Sequence, residues 1–396
     1  MILGASRYYI RSILAAQELG CRVLVIDKNP DSHGFRYADY HELMDISDSE
    51  GSLRVARDYG IHGVVAVNDF GVRSAAIISE KMNLVGLSPT VAEFATSKAW
   101  MRQIWERAGV PSARFRTVET FDQALAAVNA LDDWPLILKP VDSRGGGCRG
   151  VSRIDSAEEL EEAFRFAQSF YDNKAVIIEE YLEGSEHSLE TLTFEGQTHI
   201  LAVSDKVKTP PPYRVDKSVV YPTLLDRDAL RKTYEVATAA VKAIGIQVGP
   251  AHVELCVTKD GPKLFEIGAR CGGGGTPDPI VPFATGIEMF KEVVRIALGE
   301  RPTNLSPKYN RGCVYRFLTP LPGVIESVTG HEEVKSWPNV LDCEVLVGKG
   351  DEVSPIRVGA DRAGFIIAGG ETRTEAVELA DRAESAIYFH YSPQPG

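Results

Sequence analysis

The sequence predicts a multidomain protein of the α/β and α+β classes. Its 396 residues exceed what one ordinary hydrophobic core contains, so two or three domains are expected. Over residues 1–93, strand-like runs alternate with helix-like runs, which predicts a parallel sheet with right-handed crossovers. After residue 111, apolar runs joined by short turns and mixed with helices predict an α+β organisation.

Composition and charge narrow the classes of function. The apolar fraction of 44% and the charged fraction of 25% are typical of soluble globular proteins. A formal charge of −12 argues against nucleic acid as a partner, because nucleic acids favour basic surfaces. The six cysteines show no metal-ligand spacing, and no apolar run approaches the roughly 18 residues of a membrane span. We therefore expect reduced thiols, a cytoplasmic protein and no membrane partner.

The N-terminal region predicts an open sheet with a ligand-binding edge. Its strands are "MILGA", "RVLVID" and "GVVAVN". A G-x-G-x-x-G fingerprint is absent after the first strand, so a dinucleotide site is rejected and Asp27 is interpreted as a turn or cap residue. Asn68 and Asp69 follow the third strand, at the edge where such sheets bind ligands. Capping of the next helix explains Asp69 nearly as well.

A glycine loop between two strands predicts a phosphate site. After a helix over about residues 94–111, the stretch "WPLILKPVDSRGGGCRGVSRI" places Lys139 at the end of one strand. Gly145, Gly146 and Gly147 form the bend, where bare backbone N–H groups could approach a phosphate. The alternative is a surface hairpin with a flexible tip. The next strand, "AVIIEEYLEGSE", leads into either a nucleoside-binding turn or a plain acidic turn.

Two strand-like runs in "HVELCVTKDGPKLFEIGARCGGGG" predict a β-hairpin. If Val257 pairs with Lys263, Glu254 faces Glu266, and like charges opposed across a ladder are destabilising. One interpretation is a solvated hairpin. The other is Mg²⁺ between the carboxylates, with Arg270 nearby for a second anion. In the second case we expect the metal-free hairpin to carry unrelieved repulsion.

The sequence resembles the ATP-grasp superfamily over almost the whole chain. The resemblance rests on four features in this order: the lysine, the glycine loop, "EEYLEGSE" and the Glu/Glu/Arg set. Within this superfamily the sequence is most similar to carboxylate–amine ligases of the L-amino-acid ligase type, through "KVKTPPPYRV" and the tail "DRAGFIIAGGETRTEAVELA". The resemblance implies an ATP-grasp fold with a Rossmann-like parallel α/β domain, an ATP-lid subdomain, a central antiparallel-sheet core and a C-terminal α+β module. The implied boundaries are 1–93, 94–300 (lid 112–185, core 186–300) and 301–396.

The resemblance also implies which residues bind ATP. Lys98 and Lys139 would contact the α- and β-phosphates, and the loop of Gly145, Gly146 and Gly147 would close over the β- and γ-phosphates. Glu179 and the backbone near Leu182 would hold adenine, and Glu186 the ribose.

The implied catalytic set lies on the hairpin. Glu254 and Glu266 would bind Mg²⁺, with Mn²⁺ as the alternative metal, and Arg270 would stabilise the transferring phosphoryl group. Lys206, Lys208, Arg214 and Arg316 are candidates for a substrate carboxylate, but for the first three a solvated positive charge is the favoured interpretation. Gly268 stands where the family commonly has Asn, so either water or a neighbour completes the second metal's shell, or that metal is held more weakly.

The implied reaction is ATP-dependent joining of a carboxylate to an amine through an acyl phosphate, with release of ADP and phosphate. The substrates would be small molecules, and a homodimer is common in the resembling group. The alternatives are a purine-pathway carboxylase or ligase and a nucleotide-binding module without turnover.

Overall fold

The structure is a computed structural model that describes residues 1–131, 133–144 and 146–392. Residues 1–93 contain the strands β1 (Ile2–Leu3), β2 (Leu24–Asp27), β3 (Tyr40–Leu43) and β4 (Val65–Ala66). They form a parallel sheet in the order β3-β2-β1-β4, which confirms the predicted parallel sheet. The sequence does not predict β3, because "YHEL" is mostly exposed and has no apolar run.

Helices cover this sheet and lead into the next region. They are α1 (Ile10–Glu18), α2 (Ser49–Asp58), α3 (Asp69–Met82), α4 (Pro89–Phe94) and α5 (Lys98–Ala108). Helix α5 ends at Gly109, whose φ of 67° suits a glycine, as the sequence predicts. Strand order reverses at β1, so the carboxyl ends of β1 and β4 form the crevice where open sheets bind ligands.

The described residues of the implied lid, 112–185, form a small antiparallel sheet covered by two helices. Its elements are β5 (Phe115–Val118), α6 (Phe121–Leu131), β6 (Leu136–Pro140), β7 (Ser152–Ile154), α7 (Leu160–Gln168) and β8 (Val176–Glu180). The strand order is β5-β8-β6-β7, and Leu136 pairs with Ile154 across the glycine loop. The predicted pair of strands around that loop is therefore confirmed. Gly145 lies outside the described residues.

The central elements are β9 (Gly184–Phe194), β10 (Gln197–Lys208), β11 (Asp216–Tyr221), α8 (Arg227–Ile244), β12 (Gly249–Thr258), β13 (Gly261–Gly268), α9 (Val281–Thr285) and α10 (Met289–Ala297). The C-terminal elements are β14 (Gly312–Leu318), β15 (Gly323–Thr329), α11 (His331–Lys335), β16 (Val340–Val345), β17 (Glu352–Val353), β18 (Gly364–Gly370), α12 (Arg373–Ser385) and β19 (Tyr388–Tyr391).

One antiparallel sheet runs through both of these regions. Within the described residues its order is β13-β12-β9-β10-β11-β14-β18-β16. Strand β14 pairs with β11, so the C-terminal strands extend the central sheet. Helices α5 and α8 cover one face of its β12 and β13 end, through buried side chains that include Trp105, Ala237 and Val253. The implied domain boundaries stay predictions. The sheet that the central and C-terminal regions share shows no break at the boundary implied between residues 300 and 301.

None of the helices described for this chain combines the length and apolar character needed to cross a bilayer.

Candidate active site

Glu254 and Glu266 face each other on the hairpin of β12 and β13. This pairing confirms the predicted opposition, but the predicted register near the turn is wrong by one residue. Val257 pairs with Pro262, and the turn is only two residues long. A β-bulge between Glu254 and Leu255 shifts the register, so the two glutamates still meet.

Each of these glutamates is paired with a buried lysine. Lys98 Nζ at the start of α5 lies 3.2 Å from Glu266 Oε1, and Lys206 Nζ of β10 forms an ion pair with Glu254. The two glutamate side chains remain about one quarter exposed, at 24% and 25%. We call Lys98–Glu266 and Lys206–Glu254 the hairpin pairs. The expectation of unrelieved repulsion in the metal-free hairpin is wrong here, because a lysine neutralises each carboxylate.

Burial and charge act in opposite directions on Glu254. Burial raises the pKa of this carboxyl, but the Lys206 ammonium and His252 outweigh burial and hold the pKa well below its usual range. Glu254 therefore stays ionised at neutral pH. An ionised carboxylate oxygen suits Mg²⁺, which is usually held by one or two carboxylates.

The hairpin fits the donor set of an Mg²⁺ site that shares its metal with phosphates. Among the residues that the structure describes, no cluster of three or more His, Cys, Asp or Glu is arranged to hold a metal by itself. Two carboxylates on adjacent strands suit Mg²⁺ nonetheless, because this ion is usually held by one or two carboxylates plus substrate phosphates.

A second cluster joins three residues from the lid sheet and α5. Lys139 Nζ lies 2.6 Å from Glu179 Oε2, and Arg102 Nε lies 2.6 Å from Glu179 Oε1. Arg102 is fully buried, and the other two side chains are nearly so. We call Arg102, Glu179 and Lys139 the buried triad. The predicted phosphate lysine and the predicted adenine glutamate thus contact each other.

Charges in the buried triad compensate one another. Burial raises the pKa of Glu179, but Arg102 and Lys139 outweigh burial and lower the pKa below its ordinary value. The pKa of Lys139 is lowered, because burial together with the neighbouring cations Arg102 and Lys98 outweighs the raising effect of Glu179. Arg102 escaped sequence analysis, although it lies four residues after Lys98 and so shares a face of α5 with it.

The residues predicted to hold the nucleoside lie beside a third group of charges. Lys208 Nζ lies 3.3 Å from Glu186 and 2.8 Å from Asp216, and Arg214 Nη2 donates to Glu186 at 2.9 Å. The carbonyl of Leu182 accepts a weak bond from Cys256 Sγ at 3.6 Å. Glu186 is therefore already neutralised by two cations.

The interpretation of three basic residues as solvated charges is wrong. The side chains of Lys206, Lys208 and Arg214 are only 6%, 10% and 20% exposed, and each has an acidic partner. Asp216 bridges Lys206 and Lys208, a role that the sequence does not reveal. Arg316 also has partners, because it contacts Asp381 and Glu384 of α12.

The glycine loop approaches the site from the lid. Gly146 and Gly147 both have positive φ, at 50° and 70°, so the loop uses backbone conformations that side chains disfavour. Gly147 accepts a hydrogen bond from the Gly359 N–H at 2.7 Å, which ties the loop to the C-terminal region. These features suit backbone contact with an anion.

Arg270 follows the hairpin and reaches the N-terminal sheet. Its Nε and Nη2 donate to Asp69 Oδ2 at 3.0 and 2.8 Å. Asn68, and not Asp69, caps α3, since the Asn68 side chain accepts the N–H of Phe70 at 3.0 Å. The capping explanation of Asp69 is therefore wrong.

Glu190 and His252 form a further buried contact beside Glu254. Glu190 Oε1 lies 2.5 Å from His252 Nδ1, and its other oxygen accepts the Gly272 N–H at 2.8 Å. Glu190 is completely buried on β9. It escaped sequence analysis because its partners are 62 and 82 residues away in the chain.

Comparison with known proteins gives two family matches. Residues 133–278 match the model of the ATP-grasp domain, and residues 316–392 match that of the L-amino acid ligase C-terminal domain 2. The first match contains the glycine loop, the hairpin and Arg270. The second covers most of the C-terminal region.

Individual proteins agree with these matches. The chain is 29% identical to alanine–anticapsin ligase of Bacillus subtilis over 62% of its own length, but the match spans only 56% of that ligase. It is 27% identical to formate-dependent phosphoribosylglycinamide formyltransferase of Salmonella schwarzengrund, over 98% of this chain and 95% of that one. The crystal structure of an L-amino acid ligase from Bacillus licheniformis superposes with a TM-score of 0.84 at 24% identity, over 99% and 98% of the two chains.

Proposed function

Because the chain carries an ATP-grasp domain followed by an L-amino acid ligase C-terminal domain, we propose that it is an ATP-dependent ligase joining a small carboxylic acid to an amine. An amino acid or a related small acid is the proposed carboxylate. The observation that carries the proposal is the pair of facing glutamates, Glu254 on β12 and Glu266 on β13, with Arg270 two residues beyond the end of β13.

We propose the contacts with ATP that the resemblance to ATP-grasp enzymes implies. Lys98, Lys139 and the loop of Gly146 and Gly147 would hold the phosphates, and Glu179, Glu186 and the Leu182 backbone would hold adenosine. Glu254 and Glu266 would hold Mg²⁺, or Mn²⁺ in its place. The bound metal would neutralise phosphate charge during transfer.

Lysine pairing supports this assignment. Lys98 and Lys206 each neutralise one hairpin glutamate. A phosphate chain carrying its own Mg²⁺ brings anions for the lysines and a cation for the glutamates. Binding would therefore exchange one set of balanced charges for another and leave no buried charge unpaired.

The proposed chemistry has two steps. A carboxylate oxygen of the acid attacks the γ-phosphorus, the bond to the β-phosphate oxygen breaks, and an acyl phosphate and ADP form. The amine nitrogen then attacks the acyl carbon, phosphate leaves, and the nitrogen loses a proton. Arg270 would stabilise the negative charge that develops in both steps, and the glycine loop would exclude water from the acyl phosphate.

A matrix of carboxylates and amines, scored by phosphate release with product masses confirmed, tests this function. We expect phosphate release that requires both an acid and an amine, and ADP as the nucleotide product. Hydroxylamine in place of the amine should give a hydroxamate. AMP and pyrophosphate as products would contradict the proposal.

The match to the formate-dependent formyltransferase over 98% of the chain favours a second candidate, a purine-pathway ligase or carboxylase. Formate or bicarbonate with a phosphoribosyl amine, added to the same matrix, tests it. ATP binding without turnover on any pair would favour a nucleotide-binding module instead.

We also propose a cytoplasmic location and a homodimer. An ATP-rich, reducing compartment suits a chain whose six cysteines are all free thiols. Sedimentation equilibrium measures the oligomeric state, and fractionation of the source cells measures the location.

A further inference from the structure

Arg270 is held by a carboxylate that comes from the other end of the chain. Asp69 is 201 residues away in sequence, and it is the first residue of α3 at the ligand-binding edge of the N-terminal sheet. Its side chain is 6% exposed and that of Arg270 is 15% exposed. A pair so enclosed is weakly screened by water, so it fixes the guanidinium more firmly than a surface pair does.

The bonds with Asp69 and Cys271 occupy only some of the N–H donors of the Arg270 guanidinium. Asp69 Oδ2 accepts from Nε and Nη2, and the Cys271 carbonyl accepts from Nη1 at 2.9 Å. Of the five N–H donors of an arginine, these bonds leave one on Nη1 and one on Nη2. The Nη2 atom lies 3.9 Å from where a Cβ on Gly146 would stand. Asp69 thus fixes the plane of the guanidinium while donors remain near the glycine loop.

Gly268 provides the space in which this pair lies. A Cβ on residue 268 would stand 3.1 Å from Asp69 Oδ1, 3.1 Å from Arg270 Cζ and 3.3 Å from Arg270 Nε. These distances are shorter than ordinary van der Waals contact. Gly268 ends a regular strand, β13, where the backbone conformation suits any residue. A side chain at position 268 would therefore push the Asp69 and Arg270 side chains aside by a few tenths of an ångström, whereas the backbone itself would accept one.

We propose that Asp69 is a positioning residue for Arg270 and that Gly268 is the clearance that lets the two meet. This inference rests on the proposed function, in which Arg270 contacts the reacting phosphoryl group. The N-terminal domain would then contribute to catalysis through Asp69, which orients Arg270 toward the reacting phosphoryl group. The contact between Asp69 and Arg270 also explains the glycine at position 268 without a metal, since any side chain there would displace the pair.

The proposal differs in its consequences from a purely structural tie between domains. A structural tie would change stability and leave turnover per folded molecule intact. A positioning residue should lower kcat and leave KM for ATP and for the acid nearly unchanged, because the loss is felt in the transition state. Misplacement of a catalytic group by about 1 Å costs about 100-fold in rate.

Three variants and their combination test the proposal on the folded enzyme. Asp69→Asn keeps the shape and removes the charge, Gly268→Ala adds one methyl group, and Gly268→Asn adds the side chain usual in the family. We expect kcat to fall about 10- to 100-fold in Asp69→Asn and Gly268→Asn, and less in Gly268→Ala. The Asp69→Asn/Gly268→Asn double variant should lose little more than either single variant, because both act on one contact.

The matched control is Asp48→Asn. Asp48 is also an acid at the start of a helix of the N-terminal domain, where it accepts the Gly51 N–H at 3.0 Å. Its kcat should equal that of the parent. Unchanged kcat in Asp69→Asn would overturn the positioning role. A Gly268→Asn enzyme that is more active than the parent at low Mg²⁺ would overturn the clearance role and favour a missing metal ligand.

A measurement independent of activity separates this inference from the proposed function. In ¹⁵N-labelled protein, the Nε–Hε resonance of Arg270 is identified by its loss in Arg270→Lys. It should exchange slowly with water in the parent and in Asp48→Asn, and faster in Asp69→Asn and Gly268→Asn. Equal exchange in all four proteins would overturn the inference even if ligation is found. If no combination of acid and amine releases phosphate, the proposed function is overturned. The exchange rate of the Arg270 Nε–Hε proton still tests the contact between Asp69 and Arg270 in that case.

Discussion

The buried triad and the hairpin pairs are built from the same residue types and differ in their access to water. In the triad, Glu179 is 2% exposed and both of its cations are buried with it. In the hairpin pairs the lysines are buried, but Glu254 and Glu266 are about one quarter exposed. A charge that cannot reach water depends on its partner for stability, whereas a charge at an open edge can change partners. We therefore infer that the Arg102–Glu179 pair of the triad holds the lid sheet on α5, and that Lys139 and the two hairpin lysines exchange a carboxylate for phosphate when ATP binds.

Breaking the triad should have the largest effect on stability. Glu179→Gln leaves Arg102 and Lys139 buried without an anion, and loss of one partner of a buried ion pair costs about 3–5 kcal/mol. The free energy of unfolding, measured by urea denaturation, should fall by about this amount.

The control for this variant is Glu161→Gln, which removes an exposed i,i+4 pair with Arg165 on α7. Its effect should stay below about 1 kcal/mol. A Glu179→Gln protein as stable as this control would show that the triad is open to water after all.

Breaking a hairpin pair should affect turnover more than stability. Glu266→Gln removes an anionic ligand from the proposed metal site, and we expect kcat to fall about 100- to 1,000-fold, as for loss of one electrostatic group in an active site. Its stability should fall by only about 1 kcal/mol, because the lost pair with Lys98 is partly exposed.

A control variant on β8 removes an ion pair with β13 outside the proposed metal site. Glu180→Gln removes the carboxylate that contacts Lys263 Nζ at 3.2 Å and the exposed Arg114 at 2.9 Å. It should lose similar stability and keep turnover. Saturating Mg-ATP should raise the melting temperature of the parent and of Glu180→Gln more than that of Glu266→Gln. Equal gains in all three would remove Glu266 from the metal site.

Acid should lower the free energy of unfolding through Asp216, by less than the loss expected for Glu179→Gln. Burial raises the pKa of Asp216, but Lys206 and Lys208 outweigh burial and lower it from 3.8 to about 2. Between these values the unfolded chain binds a proton that the folded protein does not. The stability that Asp216 contributes is thus present above pH 3.8 and lost as pH falls toward 2, an effect of roughly 2 kcal/mol.

Melting temperatures measured from pH 5 to pH 2 check this sign. Asp216→Asn should be less stable than the parent at pH 5, and its stability should depend less on pH over this range. A variant that keeps the full acid sensitivity of the parent would assign that sensitivity to other carboxylates.

The sequence predicts local features well and long-range charge pairs poorly. Alternating strand and helix patterns indicate the parallel sheet, and turn residues indicate the hairpin that brings Glu254 opposite Glu266. The β-bulge beside Glu254 leaves no mark in an alternating pattern, so the register near the turn is missed. Arg102, Glu190 and Asp216 look like ordinary surface charges in sequence. Their partners are brought to them only by the tertiary fold, as Asp69 is brought to Arg270.

The destination of the carboxylate oxygen tests the proposed ligation most directly. With an acid from the matrix labelled with ¹⁸O in its carboxylate, attack on the γ-phosphorus carries one labelled oxygen into the acyl phosphate, and the amine then expels that oxygen as phosphate. Mass spectrometry should therefore find one ¹⁸O in the released orthophosphate for each amide formed, and none in the nucleotide. Label in AMP, or orthophosphate that contains no ¹⁸O, would contradict the account.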